Sequence, residues 1–274
     1  MAIRLERNAR VGAMLKETWE RNYLQNRPEI RKLAPLLPRF NRVADKPVLV
    51  VGAGPSLNKN ITDIDPELYD IIAVDKVVPK LVHEGIYPNY IVALNSVPTD
   101  VEDWIRPARG RSTLVMPCTV DPATYAHWRG SKLFINSDVV TNIQERIQAE
   151  TGYPPLGVGA NAGTFGLQMA YYLGYNPVAY AGMDFSFLTR EDVLRRQDYP
   201  TNYNVIEMTD RNGDVRFLDI GWLSMAEAFQ DSVRSYRQMF GIGTHNCTEG
   251  GVNYSQHVHD TSLKEFDQLC ENPI

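Results

Sequence analysis

The chain has 274 residues, 43% of them hydrophobic, and a formal net charge of -5. That supply of apolar residues suits one large or two small packed domains and argues against disorder, and the acidic balance argues against sequence-independent nucleic-acid binding. No apolar run is long enough to span a bilayer, there is no N-terminal apolar h-region, and Cys118, Cys247 and Cys270 have neither zinc nor disulfide spacing, so a cytoplasmic location is expected.

Residues 1–46 read as an N-terminal helical segment of one or two helices, with Met14, Leu15, Trp19, Tyr23 and Leu24 at helical spacing and breaks at Pro35 and Pro38. Residues 47–274 read as a single α/β domain. Val48–Val51 is a β-branched run that stops at Gly52-Ala53-Gly54-Pro55-Ser56, the pattern of a buried strand entering a tight loop and then a helix. Glycine there permits close approach of a ligand, Ser56 is a natural helix cap, and helix-start amides suit a phosphate. Further strands are expected at 71–74, ending at Asp75, at 90–94, ending at Asn95-Ser96, and at 113–116 and 132–135, with a helix over Lys76–Glu84. Strands alternating with helices imply crossovers and a mostly parallel sheet.

Gly163–Leu173 is apolar all round and should be a buried helix, capped by Asn161 or Thr164 at its start and by Gly174 at its end. The segment Asn161-Ala162-Gly163-Thr164 offers the free amides of that helix to an anion. A strand over 177–181 then ends at Gly182-Met183-Asp184. Residues 190–200 read as a mobile loop, Asp210–Asp214 as a hairpin turn around Asn212-Gly213, Met225–Phe240 as an amphipathic helix, and Ser262 as the start of a short last helix.

In an open parallel sheet, ligands bind beyond the carboxyl ends of the strands. Gly52–Ser56, Asp75, Asn95-Ser96 and Gly182–Asp184 all fall at such ends, and their convergence predicts one nucleotide-handling crevice. A dinucleotide fingerprint is incomplete: Leu57 occupies its third glycine position and Pro55 removes a donor, although Asp75 lies at the right distance for a ribose hydroxyl. Neither a P-loop nor a G-x-S-x-G elbow occurs. His257 and His259 alternate as two ligands on one strand face would, but exposed polar residues are the preferred reading.

The motifs Val50–Leu57, Gly85–Tyr90, Gly174–Pro177 through Gly182–Asp184, and Asn246–Gly251 resemble, in this order, the motility-associated-factor (Maf) glycosyltransferases. Relatives of these enzymes include the archaeal 6-hydroxymethylpterin pyrophosphokinases. The likeness spans roughly residues 20–266 and implies a Rossmann-like fold with a mostly parallel sheet flanked by helices. The Gly-Pro-Ser-Leu loop and the Ala162–Asp184 unit also resemble the bacterial CMP-sialic acid transferases. That likeness implies transfer from a nucleotide-activated sugar, a CMP-linked nonulosonic acid, to an unknown hydroxyl acceptor. The nucleotide contacts it implies are Gly52, Gly54, Pro55, Ser56, Asn95, Ala162, Gly163 and Thr164; Ala53, Asp75, Ser96 and Asn161 adjoin them.

Asp184, Asp219 and His257 are the candidate catalytic residues, with Asp260 as a further candidate base, because the histidine such transferases carry after this strand is missing. Tyr199 and Tyr203 are candidate donors to the leaving phosphate. The strand end Ala93-Leu94-Asn95-Ser96 lacks the acids with which the pyrophosphokinases hold magnesium. That diphosphokinase is the alternative reading, with Mg2+ as its cofactor, and an inactive nucleotide-binding module is a third. No metal site is expected under the main reading, and a homo-oligomer is compatible with the sequence.

Overall fold

A computed structural model describes residues 2–33, 46–140, 142–159, 161–195, 204–253 and 257–272. The chain opens with helix α1 (Ala2–Ile30), then β1 (Val48–Val51), β2 (Asp70–Val74), α2 (Val78–His83), β3 (Tyr90–Val92), α3 (Val101–Ile105), β4 (Thr113–Pro117) and β5 (Lys132–Ser137). It continues through α4 (Gln144–Thr151), β6 (Pro155–Leu156), α5 (Ala162–Leu173), β7 (Val178–Ala181) and α6 (Arg190–Leu194). A hairpin, β8 (Ile206–Thr209) and β9 (Val215–Leu218), precedes α7 (Ile220–Phe240), β10 (Thr244–Asn246), β11 (His259–Asp260) and α8 (Leu263–Glu271).

Among the described residues, nine strands form one sheet in the order β11-β10-β7-β1-β2-β3-β4-β5-β6, with every pair parallel. The fold is α/β and Rossmann-like, with helices flanking the sheet. All four residues of β1 are buried, as are those of β7, which is why their sequences are continuously apolar rather than alternating. From β1 the chain winds outward to β6, then returns through α5 to add β7 on the other side of β1. The β1–β7 junction is therefore the topological switch point, where a doubly wound sheet opens its crevice.

Helix α5 makes that return possible. Asn161 Oδ1 accepts from the Thr164 amide at its start, and Gly174, at φ 81°, ends it in the left-handed conformation. Gly166 lets the helix lie close on Val50, Ile72 and Val92. Helix α7 covers α5, with the Tyr171 and Tyr236 rings stacked 4.1 Å apart.

Several elements differ from expectation. Where described, the N-terminal segment forms an expected helix across 2–30 that buries Leu15, Trp19, Tyr23 and Ile30, but Met14 and Leu24 face outward; Pro35 and Pro38 lie outside the described residues. The chain after Gly54 is not an α-helix but a 3-10 turn over Pro55–Lys59, and Ser56 lies inside it rather than capping it. Residues 190–194 are helical because Thr189 caps them, while Tyr199 and Tyr203 lie outside the described residues. His257 precedes β11 instead of sharing a strand with His259. The hairpin turn and the Ser262 cap, a full capping box, form where the sequence puts them.

Candidate active site at the switch point

The loop after β1 and the loop after β7 are laced together. The amide of Gly52 donates to Ala181 O and that of Gly54 to Gly182 O, both at 2.8 Å. Asp184 closes the lacing: its Oδ2 accepts from the Ser56 amide at 2.9 Å and its Oδ1 from the Ser56 hydroxyl at 2.5 Å. A side-chain carbon on Gly54 would collide with the Asp184 carboxylate and with Gly182 O, and one on Gly52 with Gly182 O. These glycines thus serve contact between two stretches of backbone. With Pro55 lacking an N–H, the Ala53 amide is the loop donor that, among the described residues, has no protein acceptor.

The C-terminal segment wraps the same residue through its backbone. Val252 N donates to Asp184 O, Met183 N to the Thr248 hydroxyl, and Asn60 Nδ2 to Cys247 O. Gly251, at φ 80°, sits where any side chain would meet the Asp184 backbone. Arg216 of β9 touches this region: the space beside Gly250 is bounded by its guanidinium and by Ser56. Asp184 is 1% exposed, and burial raises its pKa above the ordinary aspartate value; the Ser56 bonds and then Arg216 and Lys59 oppose that rise without cancelling it.

The start of α5 meets the two loops at Met183, whose sulfur lies against both Gly52 and Gly163. The Thr164 amide is taken by Asn161 Oδ1 at 2.9 Å, and Thr164 itself is buried. Among the described residues, the Ala162 and Gly163 amides have no acceptor, as first-turn amides without a ligand should.

Asp75 is buried at the end of β2, where its Oδ1 accepts from the Lys76 amide. Asn95 donates to the Thr99 hydroxyl, and Ser96 is held by the N-terminal helix. Trp19 Nε1 donates to Ser96 Oγ at 3.0 Å, and Asn22 Nδ2 to Ser96 O at 2.7 Å and Thr119 O at 3.1 Å. One turn on, Asn26 Nδ2 reaches Cys118 O and Val120 O. Helix α1 thus presents a buried polar stripe to the loops after β3 and β4. Asn22 and Asn26 fall at helical spacing with Trp19 and Tyr23, the one sequence signal for them; Arg216, in a half-exposed hairpin, carries none.

The remaining candidate bases have structural partners away from the β1 loop. Asp219 caps α7, accepting from the Trp222 amide at 2.9 Å. His257 gives its carbonyl to Arg237. Asp260 lies on the edge strand β11, three strands from β1, paired with Arg211 and accepting from Asn246. The rings of His245 and His259 lie 5.4 Å apart; burial and then His259 lower the pKa of His245 to about 4. Among the described residues, no three His, Cys, Asp or Glu side chains converge on a common point, and no helix is long and apolar enough to cross a membrane.

No curated protein sequence matches the chain significantly. The solved structure of a MAf glycosyltransferase from Magnetospirillum magneticum AMB-1 matches it with a TM-score of 0.68 over 93% of the chain, at 17% identity. At that identity the likeness shows the fold, and the chain spans 41% of that protein's length. A family model described as 6-hydroxymethylpterin diphosphokinase MptE-like matches residues 21–190, from the asparagine stripe of α1 through both switch-point loops. The chain belongs to this MptE-like family.

Proposed function

We propose that the chain is a transferase that moves a sugar from a nucleotide-activated donor, of the CMP-linked nonulosonic type, to a hydroxyl acceptor. The observation that supports this reading is that the Met183 sulfur lies against both Gly52 and Gly163, so the start of α5, with its Ala162 and Gly163 amides free of protein acceptors among the described residues, adjoins the β1 loop. Helix-start amides suit a phosphate that must leave as an anion. Asn161 shapes the helix start, and Asn95, Ser96 and Asp75 line the neighbouring strand ends for the nucleoside.

In the transfer, the acceptor oxygen bonds to the anomeric carbon. The bond from that carbon to the phosphate oxygen breaks, and its electron pair leaves on the nucleotide. The acceptor proton passes to Ser56 Oγ as Ser56 gives its own to Asp184 Oδ1, which the 2.5 Å hydrogen bond already joins. A buried carboxylate of raised pKa is a fitting proton acceptor. Asp219 and His257 have no step in this scheme.

The family description favours a second reading, ATP-dependent diphosphate transfer to a pterin alcohol. The residues present do not fit a magnesium–ATP site: Asp184 is buried with both oxygens on Ser56, and Asp75 is buried with an oxygen on the Lys76 amide.

The test is the thermal midpoint with CMP, CDP, UDP, NAD, and ATP with and without magnesium. A ligand at about 100 times its Kd adds about 2.7 kcal/mol, which is several degrees. A shift with CMP, followed by slow hydrolysis of a CMP-activated nonulosonic acid, is expected. A shift with ATP only in the presence of magnesium overturns the donor assignment, and CMP binding without turnover of any donor points to an inactive module.

A further inference from the structure

A groove of about 390 Å³ lies between the β1 loop and the β8–β9 hairpin. Its floor is Ser56, the residue bonded to Asp184. One wall is Asn58 and Lys59; the other is Leu188, Asp214, Val215 and Arg216.

The polar groups in it are held in place. Arg216 is buried, with Nε on Asp210 Oδ2 at 2.8 Å and NH2 on Asp214 Oδ2 at 3.1 Å. Asp210 also accepts the amides of Asn212 and Asp214, so the hairpin turn is rigid. The Asp214 carboxylate is thereby fixed while its side chain stays 56% exposed. Asn58 is fixed from the other wall, because Lys80 Nζ donates to its Oδ1 and leaves its NH2 to donate.

We propose that this groove is the acceptor subsite and that its acceptor is a single hydroxyl-rich sugar ring. The proposal rests on the transferase reading above. A fixed carboxylate accepts from hydroxyls, Asn58 and Lys59 donate to them, and the aliphatic Leu188 and Val215 cover the ring's C–H face. Ordered polar groups among apolar walls are what small-molecule sites use for orientation. The volume lies at the low end of the range for such sites, about 300–1,000 Å³, which suits one ring rather than a chain. None of the described lining residues is aromatic, so among them a flat pterin finds no ring to stack on. The Ser56 hydroxyl on the floor is where the acceptor oxygen gives up its proton.

The experiment is saturation-transfer NMR on the full chain with methyl β-D-galactopyranoside, methyl α-D-glucopyranoside, N-acetylglucosamine and 6-hydroxymethylpterin. The wild type is compared with Val215→Trp and Leu188→Trp, two substitutions at side chains about half exposed that would fill the groove. Saturation of at least one sugar and not of the pterin is expected. The sugar affinity should fall by about tenfold or more in both variants, with the CMP-induced midpoint shift unchanged. No sugar signal in the wild type, a sugar signal that survives both tryptophans, or a pterin signal that they abolish overturns the proposal. A missing CMP shift with the sugar result intact instead removes the donor reading and leaves the groove a sugar site.

Discussion

Two glycine-bearing turns face each other at the switch point, and they do different work. In the loop after β1, glycine is required because another piece of backbone fills the space: the Gly52 amide is spent on the end of β7, the Gly54 amide on Gly182 just after it, and the Ser56 amide on Asp184. At the start of α5, a carbon on Gly163 would meet two side chains, the flexible end of Met183 and the Asn161 Oδ1, and the amides of Ala162 and Gly163 stay free of protein acceptors among the described residues. Asp184 occupies the first loop as a built-in anion. In the proposed transfer, the donor phosphate goes to the second turn. A glycine motif alone does not distinguish the two cases; the partner of each amide does.

Substitutions should separate them sharply. Gly251→Ala is expected to be the most damaging, since its left-handed φ and its collision with the Asp184 backbone combine. Strain and overpacking together cost about 3–5 kcal/mol, read as a fall in Tm of at least 6 °C or so at about 2–4 °C per kcal/mol. Gly54→Ala follows at about 2–3 kcal/mol, because both the Asp184 carboxylate and Gly182 O stand in its way. Loss of nucleotide binding in that variant would therefore report a displaced loop, not a blocked ligand. Gly163→Ala should cost under about 1 kcal/mol, helix propensity offsetting small shifts of the Met183 and Asn161 side chains. A Gly163→Ala Tm as low as that of Gly54→Ala would break the contrast.

Much of the frame was legible in the chain. The β-branched run at 48–51, the caps at Asn161 and Gly174, and Asn212-Gly213 between the hairpin strands each carry local chemistry that survives in the fold. The convergence of Gly52–Ser56 with Gly182–Asp184 was also readable, from topology. What Asp184 does there was not, because its bond to Ser56 joins residues 128 apart in sequence and no periodicity reports such a pair. The same holds for Arg216 on Asp210, and for the asparagines of α1, whose helical spacing marks a buried face without revealing that carbonyls wait beneath it.

Helix α1 gives a smaller prediction on the ligand side of the comparison. Trp19→Phe keeps most of the packing but removes the donor to Ser96 Oγ. The loss should be about 0.5–1.5 kcal/mol of stability, with a weakened CMP shift if Ser96 contacts the nucleoside. An unchanged CMP shift in a Trp19→Phe chain of lowered Tm would take Ser96 out of the site and leave α1 a purely structural brace.

The smallest change in stability should come from Asp184→Asn, and its sign is informative. Asparagine can still accept the Ser56 amide, and its NH2 can donate to the Ser56 hydroxyl, so both bonds survive with one reversed. What disappears is a buried charge. Because burial raises the Asp184 pKa, the native state holds this proton more tightly than the unfolded chain does. The stability from that proton is fully present below the ordinary aspartate range, about 4, and is lost as pH rises through the raised value. Asparagine mimics the protonated form throughout, so the variant's Tm relative to wild type should climb from near zero with rising pH. Transfer, if the proton path runs through Ser56, should collapse in the same variant while the CMP shift persists. A Tm difference that falls with rising pH would mean that Ser56, Arg216 and Lys59 stabilise the carboxylate by more than burial costs it. Asp184 would then be an anchor for the β1 loop and a poor proton acceptor.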